Sequence, residues 1–209
     1  LLRLLKELHA RGVQVIEALS SQSNHTPEKS SNKPPDLSQL IPNSDHIARI
    51  CKGSACPDGV PSAAAFEFRF DSENQSFKEA DLSVHWIEFH QVPPPMRDQL
   101  IALARYLTKP VYPKERSIGK NDRFAIVPVE CLHNARAIIE GTDTSFECLH
   151  TPRVEAPPDS HGSIYPSPGV DKWPLPNGGS PDAYQLAVQT YLAEQALRDT
   201  HKIRDLAGQ

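Results

Sequence analysis

The chain has 209 residues, 38% of them hydrophobic, and its formal net charge at pH 7 is −4. That length and apolar content allow one medium-sized domain with a core of its own. The net negative charge excludes the broad basic surface that attracts nucleic acid or anionic lipid, although it is compatible with a local RNA contact.

The chain contains four cysteines and 20 prolines. This is about twice the usual share of proline, which indicates many rigid connectors between elements. The few cysteines, and the lack of any apolar run near the roughly 20 residues of a membrane span, favour a reduced cytoplasmic protein without a membrane segment. The first residue is Leu1 rather than methionine, so we expect a piece of a longer protein.

Residues 1–20 predict an amphipathic helix, because leucine, valine and isoleucine recur there at helical spacing. Such a helix must dock on this domain, on a second copy or on another protein. Residues 21–44 are rich in Ser, Asn, Pro and Lys, which is typical of a flexible linker. We therefore place a single domain at residues 45–209.

Residues 63–70 predict a half-buried strand, since three phenylalanines alternate there with polar side chains. Residues 82–89 predict a second strand, the antiparallel neighbour of the first. Its alternation places Leu82 and Val84 on one face and His85 on the other. The two runs together predict a hairpin with a buried apolar face.

Further elements follow along the chain. They are helices at residues 96–107, 130–140 and 181–206, and a central strand at residues 124–129. Residues 151–181, rich in proline and glycine, predict a long loop. The last helix has a second, weaker apolar face, formed by Leu186, Ala193 and Leu197.

These elements predict an α+β fold. We expect a small mixed or antiparallel sheet covered by about three helices, plus the separate N-terminal amphipathic helix. This arrangement leaves apolar faces uncovered on residues 1–20 and on the C-terminal helix. These faces predict contacts with another protein or self-association.

The candidate catalytic residues are three histidines and an arginine. His46 and Arg49, three residues apart, would share one face of a helical turn, where histidine transfers a proton and arginine holds a phosphate. His85 projects from the second strand, and His161 lies in the proline-rich loop. The alternatives are a solvated pair on a capped turn, a hydrogen-bonded histidine on a covered sheet face and a structural loop histidine.

Three further patterns in the sequence are weaker. His161-Gly162-Ser163 resembles one half of the paired His-x-Ser/Thr motif of the 2H phosphoesterases, but no second copy is suitably placed. The cysteines and His150 are zinc-type donors without a CxxC pair, so we expect buried thiols, no metal and no cofactor. The basic connector at residues 109–123 would suit phosphates, with a solvated loop as the alternative.

Four segments, HIARIC, PSAAAF, LSVHWIEF and DSHGSIY, resemble those of a group of small uncharacterised bacterial proteins. That group carries His-x-x-Arg-x-Cys, Ala-Phe and Leu-Ser-Val-x-Trp-Leu-Glu segments, and Ile87 stands here where leucine is usual. The matching residues are Arg49, Cys51, Phe66, Ser83, Trp86, Glu88 and His161. The resemblance implies a bacterial cytosolic domain and no particular activity.

These patterns predict a protein-interaction module or accessory subunit of a bacterial multiprotein system of the defence or toxin type. The alternative is a small metal-independent hydrolase or nuclease whose catalytic residues converge on a phosphate. Those residues are His46, Arg49, His85 and His161. The positions of these four side chains discriminate between the two functions, because side chains on different surfaces cannot act on one phosphate.

Overall fold

The computed structural model describes residues 39–108, 118–133, 137–152 and 159–209. All of them belong to one compact unit. The helix predicted at residues 1–20 and most of the linker predicted at residues 21–44 lie outside the described residues.

An antiparallel sheet forms the centre of the domain. Its strand order is β1-β8-β9-β5-β2-β6-β10, with β7 paired to β8, and every pairing is antiparallel. A separate ribbon pairs β3 with β4. The strands are β1 (Gln39–Leu40), β2 (His46–Cys51), β3 (Phe70–Asp71), β4 (Ser76–Phe77), β5 (Leu82–Trp86), β6 (Arg123–Pro128), β7 (Ala137–Ile139), β8 (Thr142–His150), β9 (His161–Ser167) and β10 (His201–Lys202).

Helices cover the sheet on both sides, which confirms the predicted α+β class. They are α1 (Met96–Leu107), α2 (Glu130–His133), α3 (Ala183–Gln195) and α4 (Ile203–Ala207). On what we call the first face, α3 and the 3-10 turn Ala63–Phe66 pack over a core that includes Ile47, Val84 and Val127. On the second face, α1 and α4 pack over Ala48, Ile50 and Phe124.

Strand β2 corrects the helical turn predicted for residues 45–51. It lies between β5 and β6, so both of its faces are buried. Ile47 enters the core of the first face, whereas Ile50 enters the core of the second. An apolar spacing of three residues thus fits a doubly buried strand as well as a helix.

The strand predicted at residues 63–70 is wrong. Ala63–Phe66 is a 3-10 turn, and only Phe70 continues into a strand, the ribbon with β4. Phe66 and Phe68 are both buried in the core of the first face. Phe68 meets Trp173 edge to face, with ring centroids 4.8 Å apart. The phenylalanines therefore alternate with polar residues because their rings pack in the core, although the segment does not form a strand.

The C-terminal region also differs from its prediction. The helix predicted at residues 181–206 ends at Gln195, after which β10 pairs with β6 at the edge of the sheet. Helix α4 then lies on the second face, opposite α3. The chain therefore passes from one face of the sheet to the other around the β10 edge.

Three further boundaries are corrected. The helix predicted at residues 130–140 stops at His133, and β7 follows. The loop predicted at residues 151–181 contains β9, and β1 lies inside the range predicted as a linker. Across the described residues, no helix combines the length and the apolar character needed to cross a bilayer.

Candidate functional site

A row of polar side chains lies on the second face of the sheet, beside the part that α1 and α4 cover. Strands β5 and β9 pair there so that Ser83 lies opposite Ser163 and His85 opposite His161. The two imidazole rings meet edge to face with centroids 6.1 Å apart. Both histidines are buried, with exposed fractions of 7% for His85 and 9% for His161. Titratable groups buried in such a cluster are candidates for function.

Both ring nitrogens of His161 are engaged. Nδ1 lies 2.8 Å from the carbonyl oxygen of Thr151, and Nε2 lies 2.8 Å from the hydroxyl of Ser83. A carbonyl oxygen only accepts, so Nδ1 carries the proton of the neutral ring. Nε2 then has a free lone pair, and the Ser83 hydroxyl donates to it. Ser83, His161 and the Thr151 carbonyl thus stand in the order of nucleophile, base and orienting group.

Several hydrogen bonds hold His161 in this position. Its backbone N–H donates to Asp159 Oδ1 at 3.0 Å, and its carbonyl accepts from the Thr151 N–H at 3.0 Å. The Thr151 hydroxyl contacts His161 Nδ1 at 3.1 Å and the Ser163 hydroxyl at 2.9 Å. His85 contacts the Ser160 hydroxyl at 3.3 Å. His161 is therefore oriented by Thr151, just after β8, and by Asp159, just before β9.

Gly162 is required where β8, β9 and β5 come together. A Cβ at this position would lie 2.9 Å from the Leu149 carbonyl oxygen and 3.2 Å from Ile41 Cδ1. A Cβ atom essentially never lies within 3.0 Å of a backbone oxygen, so only glycine lets β8 lie this close to β9. That approach is what brings Thr151 within reach of His161.

Arg49 does not join the histidine pair. It lies in register with Ala125, which belongs to the core of the first face, so its side chain leaves the sheet on the side opposite His85 and His161. It is 8% exposed, and Nη1 donates to the carbonyl oxygen of Ser83 at 2.5 Å. The predicted meeting of Arg49 with these histidines on one phosphate is therefore excluded by the alternation of β2.

His46 is engaged at the beginning of β2. Its Nδ1 lies 2.8 Å from Glu88 Oε1, and its backbone N–H donates to Glu88 Oε2 at 3.0 Å. The hydrogen bond to Glu88 raises the pKa of His46, although partial burial opposes the shift. The structure thus gives His46 an ion-pairing role with Glu88, separate from the Ser83–His161 contact.

The candidate pair of cysteines lies apart from the histidine pair. Cys51 and Cys56 are in contact at the end of β2, with sulfur atoms 3.1 Å apart. Across the part of the chain that the structure describes, no three His, Cys, Asp or Glu side chains are grouped to hold a metal ion. Residues 109–117 of the basic connector lie outside the described residues.

Sequence reasoning found the two histidines but missed Ser83 and Thr151. Ser83 was within reach, because a strand at residues 82–89 places it on the same face as His85. Thr151 was not, since β8 and β9 were both absent from the prediction and only their pairing brings Thr151 to His161.

Comparison with known proteins adds no identity to this α+β domain. No family model, no curated protein and no solved structure matches the chain.

Proposed function

We propose that the chain is a small hydrolase that uses Ser83 as a nucleophile and His161 as its general base. The observation that carries the proposal is the 2.8 Å contact between the Ser83 hydroxyl and His161 Nε2, with Nδ1 held by the Thr151 carbonyl. A hydroxyl is a weak nucleophile until an adjacent base accepts its proton. The carbonyl keeps the ring in the tautomer that accepts this proton.

In the proposed reaction, the Ser83 oxygen attacks a carbonyl carbon of the substrate while its proton moves to His161 Nε2. The imidazolium that forms keeps its hydrogen bond from Nδ1 to the Thr151 carbonyl, which favours the positive ring. His161 then returns the proton to the leaving group, and water releases the acyl group from Ser83 by the reverse sequence. His85, with its ring centroid 6.1 Å away, is the second titratable group at the site.

The placement of Arg49 favours an uncharged substrate. Phosphoester chemistry needs a cation close to the transferred group, and this guanidinium lies on the other face of the sheet. An ester or thioester places no charge on the ground-state substrate, so it suits the buried, polar surroundings of His161 better than a phosphate. The proposed substrate class is therefore acyl esters or thioesters.

The test is covalent labelling of the whole chain with a fluorophosphonate, which reacts with activated serines. We expect labelling at Ser83, identified by peptide mass spectrometry, and a loss of at least about 100-fold in labelling rate in His161→Gln, since general-base catalysis contributes about 10²–10⁴. Ser83→Ala should lose the label. Hydrolysis of a p-nitrophenyl ester should fall in parallel.

Ser62→Ala is the matched control, because Ser62 is half-buried like Ser83. Its hydroxyl donates to the carbonyl of Ala55 at 2.8 Å and not to a histidine that could act as a base. It should label like the parent chain. Thermal melts establish that each variant is folded before its rate is compared. Labelling of the folded chain elsewhere, with Ser83 unmodified, would refute the proposed nucleophile.

A second candidate function is a protein-interaction module, an accessory subunit of a bacterial multiprotein system in the cytoplasm. It is supported by Leu186 and Leu197, which are 50% and 37% exposed at the outer side of α3 and just after it. Large exposed apolar side chains are frequent at docking sites when they form a contiguous patch, and the proposed module would use Leu186 and Leu197 in this way. We propose a second copy of this chain as the occupant, through the C-terminal helix and residues 1–20.

Leu186→Glu should therefore shift the chain towards monomer in sedimentation experiments over a concentration series. Thr190→Glu is the control, because it adds the same charge one helical turn further on at an exposed position and removes no large apolar group. A parent chain that is monomeric over the whole series, with both variants unchanged, would count against this function.

A further inference from the structure

Two thiols meet at the end of β2, in a part of the domain separate from the histidine pair. Cys51 is the last residue of that strand, and Cys56 joins the 3-10 turns Gly53–Ala55 and Pro57–Gly59. Both residues are buried, at 5% and 3% exposure, and their sulfur atoms are 3.1 Å apart. A disulfide bond is about 2.05 Å long, so the sulfurs would move together by roughly 1 Å to form one.

The surroundings make the two thiols unequal. The hydrogen bond from Cys51 lowers the pKa of Cys56, with further lowering from Arg123 and Thr200, while burial opposes it. The same hydrogen bond, together with burial, raises the pKa of Cys51, which also contacts the Arg123 carbonyl oxygen at 3.5 Å. Cys56 therefore ionises first, and Cys51 is the thiol that keeps its proton.

Cys148 shows how burial changes the pKa of a thiol that has no second cysteine beside it. It is fully buried, and desolvation alone raises its pKa to about 12. The thiolate is the form that attacks disulfides and alkylating agents. Of these two buried cysteines, Cys56 is the one whose surroundings favour reaction.

Cys56 also lies at the wall of an open cleft of about 560 Å³. The cleft is lined by two cations, Arg123 and Lys202, and by two carboxylates, Asp58 and Asp199. Thr200 fixes the guanidinium, because Arg123 Nη1 donates to the Thr200 carbonyl at 3.1 Å and to its hydroxyl at 3.0 Å. A small molecule that carries both amino and carboxylate groups matches this balance of charge.

We propose that Cys56 and Cys51 form a redox-active dithiol that reduces low-molecular-weight disulfides carrying both amino and carboxylate groups. The Cys56 thiolate attacks one sulfur of the substrate, forms a mixed disulfide and releases the other half as a thiolate. The Cys51 thiol gives its proton to that thiolate and attacks Cys56 Sγ, which expels the second half. Two electrons pass to the substrate, and the chain keeps a Cys51–Cys56 disulfide.

The test mixes the full, reduced chain with glutathione disulfide and quenches the reaction with an alkylating agent. We expect two glutathione thiols per chain and one internal disulfide, mapped to Cys51 and Cys56. Cys131 and Cys148 should stay reduced and therefore be alkylated in the quench. Cys51→Ser should accumulate the mixed disulfide at Cys56. Cys56→Ser should lose the reaction, and Cys148→Ser should retain it.

A second measurement on the parent chain does not depend on the folding of any variant. The rate of Cys56 alkylation by iodoacetamide should reach half its maximum at a lower pH than that of free cysteine, because a lowered pKa provides thiolate at lower pH. A half-maximum at or above that of free cysteine would refute the assignment of Cys56 as the attacking thiol.

The substrate class has its own test. Glutathione disulfide should oxidise the pair at least about 10-fold faster than the dication cystamine or the dianion dithiodiglycolate, at equal concentration and ionic strength. Equal rates would overturn the proposed class. Unreacted Cys51 and Cys56, or cross-links that involve Cys131 or Cys148 instead, would overturn the dithiol itself.

Discussion

Replacing Phe66 by alanine should lower the free energy of unfolding by about 3–5 kcal/mol, the usual effect of removing a buried phenyl ring. Phe66 is 0% exposed in the core of the first face, where the turn Ala63–Phe66 packs against α3. The loss combines the transfer energy of the ring with the cavity that it leaves. Urea unfolding followed by circular dichroism measures it, and the midpoint should fall with little change in slope.

Leu175→Ala serves as the control for this experiment, because Leu175 is 56% exposed and its removal leaves no buried cavity. The free energy of unfolding of Leu175→Ala should remain within about 0.5 kcal/mol of that of the parent chain. A Phe66→Ala variant that unfolds at the same urea concentration as Leu175→Ala would show that the turn does not close the core in solution.

The second large effect is expected at Gly162, and it links stability to the candidate site. Valine there would place Cβ 2.9 Å from the Leu149 carbonyl oxygen, so β8 must move away from β9. Overpacking of this kind costs about 1–3 kcal/mol, and here it also separates Thr151 from His161. We expect Gly162→Val to melt earlier and, while still folded, to label at Ser83 more slowly than the parent chain.

Gly208→Ala is the matched substitution, since the nearest atom to its Cβ lies 3.5 Å away, an ordinary contact. It should leave both the melting temperature and the labelling rate near the values of the parent chain. If Gly162→Val behaves in the same way, the close approach of β8 to β9 does not orient His161.

Three elements were predicted correctly from the pattern of their apolar residues. Helix α1 was predicted with its observed bounds, because Leu100, Leu103 and Leu107 recur on one face and are all buried. The central position of β6 followed from its apolar character on both faces. The alternation of strand β5 was predicted correctly. Its predicted neighbour, residues 63–70, was wrong, because β5 pairs with β2 and β9.

The errors have physical causes that can be traced to particular residues. Strand β9 has the composition of a loop, and its Pro166 argues against a central strand. Yet β5 pairs with β9 only as far as Ile164, so Pro166 faces a partner, β8, on one side only. Strand β8 did carry a usable signal, because Thr144, Phe146 and Cys148 alternate as buried residues.

The candidate site was harder to predict than the sheet. Spacing along the chain can pair residues within one segment, such as His46 with Arg49. Ser83 and His161 are 78 positions apart, and no rule of spacing links them. The link exists only because β5 pairs with β9. Conversely, His46 and Arg49 were grouped by helical spacing, and their strand conformation separates them onto opposite faces.

The passage of the chain around the β10 edge has a consequence for synthesis of the protein. When a ribosome has released every strand through β9, the first face still lacks α3, and β6 still lacks its partner β10. The apolar surface of the sheet and one open edge are then exposed to the cell together, the condition in which nascent chains aggregate or recruit chaperones. The segment from α3 to α4 supplies both the cover of the first face and the partner of β6.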